Sequence, residues 1–263
     1  MYYSDYHTHS QLSPDSDAPL EQMAQAAVDA GLDELCVTDH CDLLNIHGSL
    51  VSHYDWLPAV AQYQETAAKF GGKLNLKLGL ELGMAHLNPA VAQAIISHPE
   101  VDFVLGSVHN QCPENGGGDF YYLDFPDAET CYAALDDYFA SVAVLAATPY
   151  YDVLSHIIYL LRYMDIPVSL EGYYDRIRSI LRTAVENGRG MEVNTYRGRT
   201  VAEWEPVLAL YKDCGGEILT VGSDAHDPGG VGKGIREAME LIAHCGFRYI
   251  CTYDKHKPVF HKL

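Results

Sequence analysis

The chain has 263 residues, 48% of them hydrophobic, which is enough for a sizeable core and suits one large α/β unit. Its 36 acidic and 17 basic residues give a formal charge of −19 and a pI near 4.9. That balance excludes a long polyanion as partner, because nucleic-acid affinity comes mainly from Lys and Arg on phosphates; a small anionic substrate stays open if bound divalent metals supply local positive charge.

Along the chain, short apolar runs rich in β-branched residues alternate with stretches of helical period. The run YYSDYH ends at His7, and His9 follows one residue further on. In an extended strand alternate side chains share a face, so the two imidazoles project the same way, close enough to grip one cation. Residues 18–31 then read as a helix opened by Pro19 and closed at Gly31. ELCVTDH ends at Asp39 and His40, and 41–50 reads as a loop mixing apolar residues with His47. A helix over 57–72 leads to LKLGLELG and Glu81, and FVLGSVHN ends at His109. The stretch 126–150 is helical at first, YDVLSHI reaches His156, and a helix covers 173–188. GMEVNTY ends near Asn194, EILTVGSDAH ends at Asp224 and His226, and an amphipathic helix covers 231–246.

This alternation predicts parallel βα units. Six of the 13 histidines sit at the C-terminal ends of the candidate strands, usually beside an acidic residue, and the other seven do not. In a closed β/α barrel that end is where an active site is built. A single histidine there is most simply a satisfied core or surface residue. The joint register of H-x-H, T-D-H, G-L-E, S-V-H, L-S-H and S-D-A-H points to a metal site. Imidazole and carboxylate without thiolate suit Zn²⁺, Mn²⁺ or Fe²⁺.

The seven cysteines are odd in number, scattered and never in a C-x-x-C pair. With no secretory leader and no apolar run long enough to span a membrane, a reducing cytoplasm and buried or incidental thiols are expected. No linker or repeat interrupts the chain, so residues 1–263 are read as one domain. No phosphate-binding glycine motif or dinucleotide fingerprint is present.

The ordered series YHTHS, VTDH, GLELG, GSVHN, VLSH and GSDAH resembles the polymerase and histidinol phosphatase (PHP) superfamily over essentially the whole chain. The resemblance implies a distorted (β/α)7 TIM-like barrel carrying up to three divalent metals. The implied ligands are His7, His9, His40, Glu81, His109, His156, Asp224 and His226. A ninth is expected soon after the H-x-H pair, where Asp15 is the nearest match and Asp17 the alternative. Glu81 is the candidate bridge between metals.

The length and the tail TYDKHKPVFHKL are similar to the histidinol-phosphate phosphatase branch. That branch hydrolyses L-histidinol phosphate in histidine biosynthesis, here expected through a metal-bridging hydroxide. Asp224, His226 and His40 are the candidates for proton delivery to the leaving alkoxide. Arg162 and Arg197 are the expected phosphate holders, since a guanidinium fork fits phosphate, and Arg199 is a weaker third. The 41–50 loop with His47 either covers the substrate imidazole or is ordinary packing, and Gly232–Gly234 would let backbone approach the site. Three other readings stand beside this one: a PHP phosphoesterase for small nucleotides, an amidohydrolase-like metal enzyme, and a metal-binding module without catalysis.

Overall fold

The computed structural model describes residues 1–46 and 48–263. His47, assigned above to the 41–50 loop, lies outside the described residues. Eight parallel strands make the main sheet: β1 (Ser4–Thr8), β2 (Glu34–Val37), β3 (His40–Asp42), β4 (Asn75–Gly83), β5 (Phe103–Ser107), β6 (Val153–Leu154), β7 (Gly190–Asn194) and β8 (Leu219–Gly222). β2 pairs with Asn75–Leu78 of β4 and β3 with Glu81–Gly83, so these two share one stave and the barrel has seven. The ring closes between β8 and β1, where Asp224 N donates to His7 O and His9 N to Ala225 O, both at 2.8 Å. The expected distorted (β/α)7 barrel is the architecture found.

The crossovers are α1 (Leu20–Asp29), α2 (Trp56–Phe70), α3 (Pro89–Ile96), α4 (Ala128–Ala146), α5 (Tyr174–Glu186), α6 (Glu205–Asp213) and α7 (Ile235–His244). The five helices read from periodicity are all present, slightly shorter than their sequence windows. α3 and α6 were not read. Their local signals are Asn88, whose side chain accepts from Val91 N ahead of Pro89, and a proline in the first turn of α6. None of the helices is long and apolar enough to cross a membrane, among the described residues.

Two departures from regular strands aim the functional side chains. From Asp5↔Leu35 to Thr8↔Val37, β1 advances three residues while β2 advances two, which is a bulge. Tyr6 therefore turns inward with Cys36, Phe103, Leu105 and Val153, and His7 turns inward as well, one layer higher. The second departure is at Thr38 and Asp39, where the stave breaks. The Asp39 side chain accepts from Ser10 N, Ser10 Oγ and Ser13 Oγ, while its carbonyl still accepts from Glu81 N at 3.1 Å. The strand then resumes at His40, so Cys41 and Asp42 are strand residues and not the start of a loop.

The C-terminal hairpin, β9 (Tyr249–Asp254) and β10 (Lys257–Lys262), plugs the opposite end of the barrel through Cys251 and Tyr253. Its two-residue turn, Lys255–His256, has φ of 47° and 63° without a glycine or asparagine. Tertiary bonds hold this conformation: His256 N donates to Asp102 O at 2.8 Å, and His256 Nδ1 lies 2.8 Å from Asp152 Oδ2.

The hydrogen bond to Asp152 raises the His256 pKa above its usual 6.5, against the opposing effects of burial and Arg189. A raised folded pKa contributes stability that is complete below pH 6.5 and lost as pH rises through the folded value. The urea-midpoint gap between wild type and His256→Gln is therefore expected to be wider at about pH 5.5 than at about pH 9. A gap of equal size at both pH values would refute the contribution.

Candidate metal centre

Every histidine placed at a strand end lies at the C-terminal mouth, five of the six around one fully buried carboxylate and His226 beside Asp15. Glu81, inward on β4, has Oε2 at 3.0 Å from His7 Nε2, 3.1 Å from His40 Nδ1 and 3.6 Å from His9 Nε2. Its Oε1 lies 2.8 Å from His156 Nε2, 3.1 Å from His109 Nε2 and 2.6 Å from the Ser107 hydroxyl. The two oxygens thus divide five imidazoles between them. Asp224, just past β8, sits with Oδ1 3.6 Å from both His7 and His9. At the solvent edge Asp15 Oδ2 is 2.9 Å from His226 Nε2 and 3.6 Å from His40 Nε2.

A second layer of acceptors fixes how these rings face. His7 Nδ1 is 2.7 Å from Glu192 Oε1, and His109 Nδ1 is 2.8 Å from Asp42 Oδ1. Asp42 reaches His109 across Gly83, where a Cβ would fall 1.7 Å from its Oδ1. His9 Nδ1 lies 3.0 Å from Ser13 Oγ, which donates to Asp39 at 2.9 Å. His226 Nδ1 meets Asp224 O at 3.1 Å. In all four, the outer nitrogen faces an acceptor and Nε2 is left for the interior.

The side chains fit divalent metal. Four groups place three ligand atoms each within 4.8 Å of one another: His9–His40–His226, His7–His9–Asp224, His7–Glu81–His156 and His40–Asp42–His109. His9 Nε2 and His40 Nδ1 are buried without a hydrogen-bond partner; His40 Nδ1 is near Glu81 but outside bonding geometry. Burial, with His40 and His226 nearby, holds His9 well below its usual pKa, and burial takes His156 down to about 4. Both rings are therefore neutral at pH 7, the form a metal accepts. Burial alone would raise Glu81 and Asp224, but His7 and its neighbours hold both well below the carboxylate range. Conversely Glu192 and Glu81 raise His7, and Asp42 and Glu81 raise His109, against the effect of burial. In the absence of metal, those imidazolium protons supply the positive charge that the buried carboxylates demand.

Above the ligands opens a cavity of about 570 Å³, lined by His40, His109, Asp224 and His226 below and by Asp119, tyrosines and two arginines around the wall. Arg162 is in it but not free: Nη1 bonds Asp224 Oδ2 at 2.5 Å and Nη2 bonds Asn194 Oδ1 at 2.6 Å. Its guanidinium lies 4.4 Å from the Tyr196 ring centroid, with Arg197 at 4.6 Å and Arg199 at 5.2 Å from the same ring. Arg197 also lines the cavity, whereas Arg199 is exposed and outside the lining.

Asp15 is beside the cluster and Asp17 is exposed away from it. Neither Gly232 nor Gly234 approaches the ligands: a Cβ on Gly232 would meet the Ala30 and Leu32 side chains, and one on Gly234 would fall 2.7 Å from Gly198 Cα, in the turn carrying Arg197. Asp42 and Glu192 were missed. Each lies two residues from a residue already singled out, His40 and Asn194, on the same face of its strand.

This barrel and its mouth define the class. The chain belongs to the PHP family, whose PHP domain profile matches residues 5–196. It is 28% identical to a probable histidinol-phosphatase of Clostridium acetobutylicum, across 97% of this chain and 95% of that one. It is 26% identical to the histidinol-phosphatase of Lactococcus lactis, across 95% and 94%. The crystal structure of histidinol phosphate phosphatase from L. lactis, complexed with zinc, L-histidinol and phosphate, superposes with a TM-score of 0.84 at 25% identity, covering 98% of each chain.

Proposed function

We propose that this chain hydrolyses L-histidinol phosphate to L-histidinol and phosphate, using divalent metals held by His7, His9, Asp15, His40, Glu81, His109, His156, Asp224 and His226. The observation that carries the proposal is the placing of four potential metal-binding groups, three of them mixing imidazole with carboxylate, at the floor of a cavity walled by two arginines. The similarity to a phosphatase complexed with zinc, L-histidinol and phosphate supports the choice of substrate. Zinc, manganese and iron all suit the donor set, and up to three ions are the reading.

Bound metals would neutralise the phosphoryl oxygens and activate the attacking water. The protein's own groups do the rest. Arg197 meets the phosphate directly, and Arg162 presents its remaining guanidinium edge while locking Asp224 in place. In the same lining Asp119, with Tyr121 and Tyr163, offers a carboxylate and aromatic rings to the cationic amino-imidazole end of the substrate. Water oxygen bonds to phosphorus as the bond to the histidinol oxygen breaks, and the leaving alkoxide takes a proton. His40, Asp224 and His226 all line this end of the cavity, and of the three His226 is the most exposed and Asp224 the least, buried under Arg162.

Phosphate release by Zn²⁺- or Mn²⁺-loaded protein tests the proposal against sugar phosphates, nucleotides and p-nitrophenyl phosphate. A kcat/KM for L-histidinol phosphate about a hundredfold above the others is expected, since a site that pairs the substrate's polar groups rejects analogues lacking them. Preference for a nucleotide would overturn the substrate. Inactivity on every phosphate with metal bound would overturn the reaction.

A further inference from the structure

Glu192 is the most fully engaged carboxylate in the molecule outside the ligand set. It is completely buried on β7. Oε1 faces His7 Nδ1 at 2.7 Å and Asn194 Nδ2 at 3.2 Å; Oε2 accepts from His156 N at 2.9 Å, from Ser155 Oγ at 3.0 Å and from Asn194 Nδ2 at 3.2 Å. One side chain on β7 thereby ties together the ligand-bearing ends of β1 and β6. Gly222 on β8 makes the contact possible, since a Cβ there would fall 2.3 Å from both Glu192 Oε1 and His7 Cβ.

We infer that Glu192 is a positioning residue for the metal centre: it keeps a proton on His7 Nδ1 so that Nε2 faces the metal, and it anchors His156 in the same cluster. The inference rests on the metal-dependent reading above. A carboxylate has only acceptors to offer, so the nitrogen 2.7 Å from it carries the hydrogen, and Asn194 Nδ2, 3.2 Å from the same nitrogen, donates to the Glu192 oxygens instead. His7 Nε2 is then left on the side of Glu81 and His156, with which it forms one of the candidate groups. Carboxylate–imidazole pairs of this kind fix ring orientation and raise ligand basicity.

Glu192→Gln isolates the effect, because the amide keeps the size of the side chain but has one acceptor instead of two. If the NH₂ takes the Oε1 position, His7 must turn its lone pair outward and put the hydrogen on Nε2. If it takes the Oε2 position, it meets the His156 N–H. The first arrangement takes His7 Nε2 out of the His7–Glu81–His156 group, and the second sets two donors against each other at the backbone that carries His156. Calorimetric titration of Zn²⁺ into metal-free protein is expected to show the affinity of one site weakened about 10- to 100-fold in E192Q. Metal content after dialysis should fall in step, while Glu186→Gln, the same exchange at the exposed end of α5, should match wild type.

Zinc binding by E192Q equal to wild type would overturn the inference and leave the functional reading standing. Failure of wild type to bind metal would overturn both. If E192Q does not fold, ¹⁵N-resolved imidazole spectra of zinc-loaded wild type decide the matter. A slowly exchanging Nδ1–H on His7 supports the assignment, and a metal-bound Nδ1 overturns it.

Discussion

Glu81→Gln is expected to lower kcat/KM for phosphomonoester hydrolysis by about a thousandfold or more, because metal-borne charge stabilisation is worth several kcal/mol and each 1.36 kcal/mol is tenfold in rate. The carboxylate is central by geometry: Oε2 faces His7, His9 and His40, and Oε1 faces His109 and His156. Among the described residues no other carboxylate faces all five: Asp224 stands with His7 and His9, and Asp42 with His40 at 3.7 Å and His109 at 2.8 Å. The amide keeps the shape but removes the negative charge and turns two N–H donors towards imidazole nitrogens. Metal content and kcat/KM should therefore fall together. A variant that keeps full metal content and at least about a tenth of wild-type kcat/KM, a barrier change of only 1.4 kcal/mol, would rule out Glu81 as the bridge. Circular dichroism of both proteins separates this loss from unfolding.

The position of this site was readable because parallel βα units place polar residues at strand ends, and the register of His40, Glu81, His109, His156, Asp224 and His226 follows from that rule. What could not be read depends on pairing between distant segments. Strict alternation puts Tyr6 and His7 on opposite faces, and only the pairing of β1 with β2 reveals the bulge that turns both inward. Reading 41–50 as a loop puts Asp42 outside a strand, because T-D-H looks like a strand end, although the chain stays bonded to β4 from Asp39 O onward while the Asp39 side chain meets Ser10 and Ser13. Arg162 is expected from the sequence to hold phosphate, but that two of its guanidinium nitrogens are already bonded could not be read. Its partners, Asp224 and Asn194, are 62 and 32 residues away, beyond any local signal. The hairpin turn at Lys255–His256 lacks the glycine or asparagine that marks such turns, because buried Asp102 and Asp152 hold it instead.

Metal withdrawal should destabilise the protein, and by more as the pH rises. In the metal-free site burial lowers the His40 pKa, but Glu81 and Asp15 outweigh it and set the value at about 9. His7 and His109 are raised as well, by Glu192 with Glu81 and by Asp42 with Glu81. Groups raised above 6.5 give stability that is complete below pH 6.5 and lost as pH climbs through their folded values, here up to about pH 9 for His40. His9 and His156 are lowered and act in the opposite sense, but below pH 6.5, outside this window. For His40 alone the loss is of order 3 kcal/mol, or roughly 10 °C in Tm for a chain of this size. Metal-bound imidazoles are already deprotonated, so the loaded protein does not share the loss, and metal affinity itself strengthens as competing protons leave. The Tm difference between loaded and chelator-stripped protein should therefore widen from about pH 6.5 to about pH 9. Differential scanning calorimetry of both forms across that range measures it. A difference that stays constant or narrows would mean that the buried carboxylates are not balanced by these imidazolium protons, and the charge argument for metal at this mouth would fail with it.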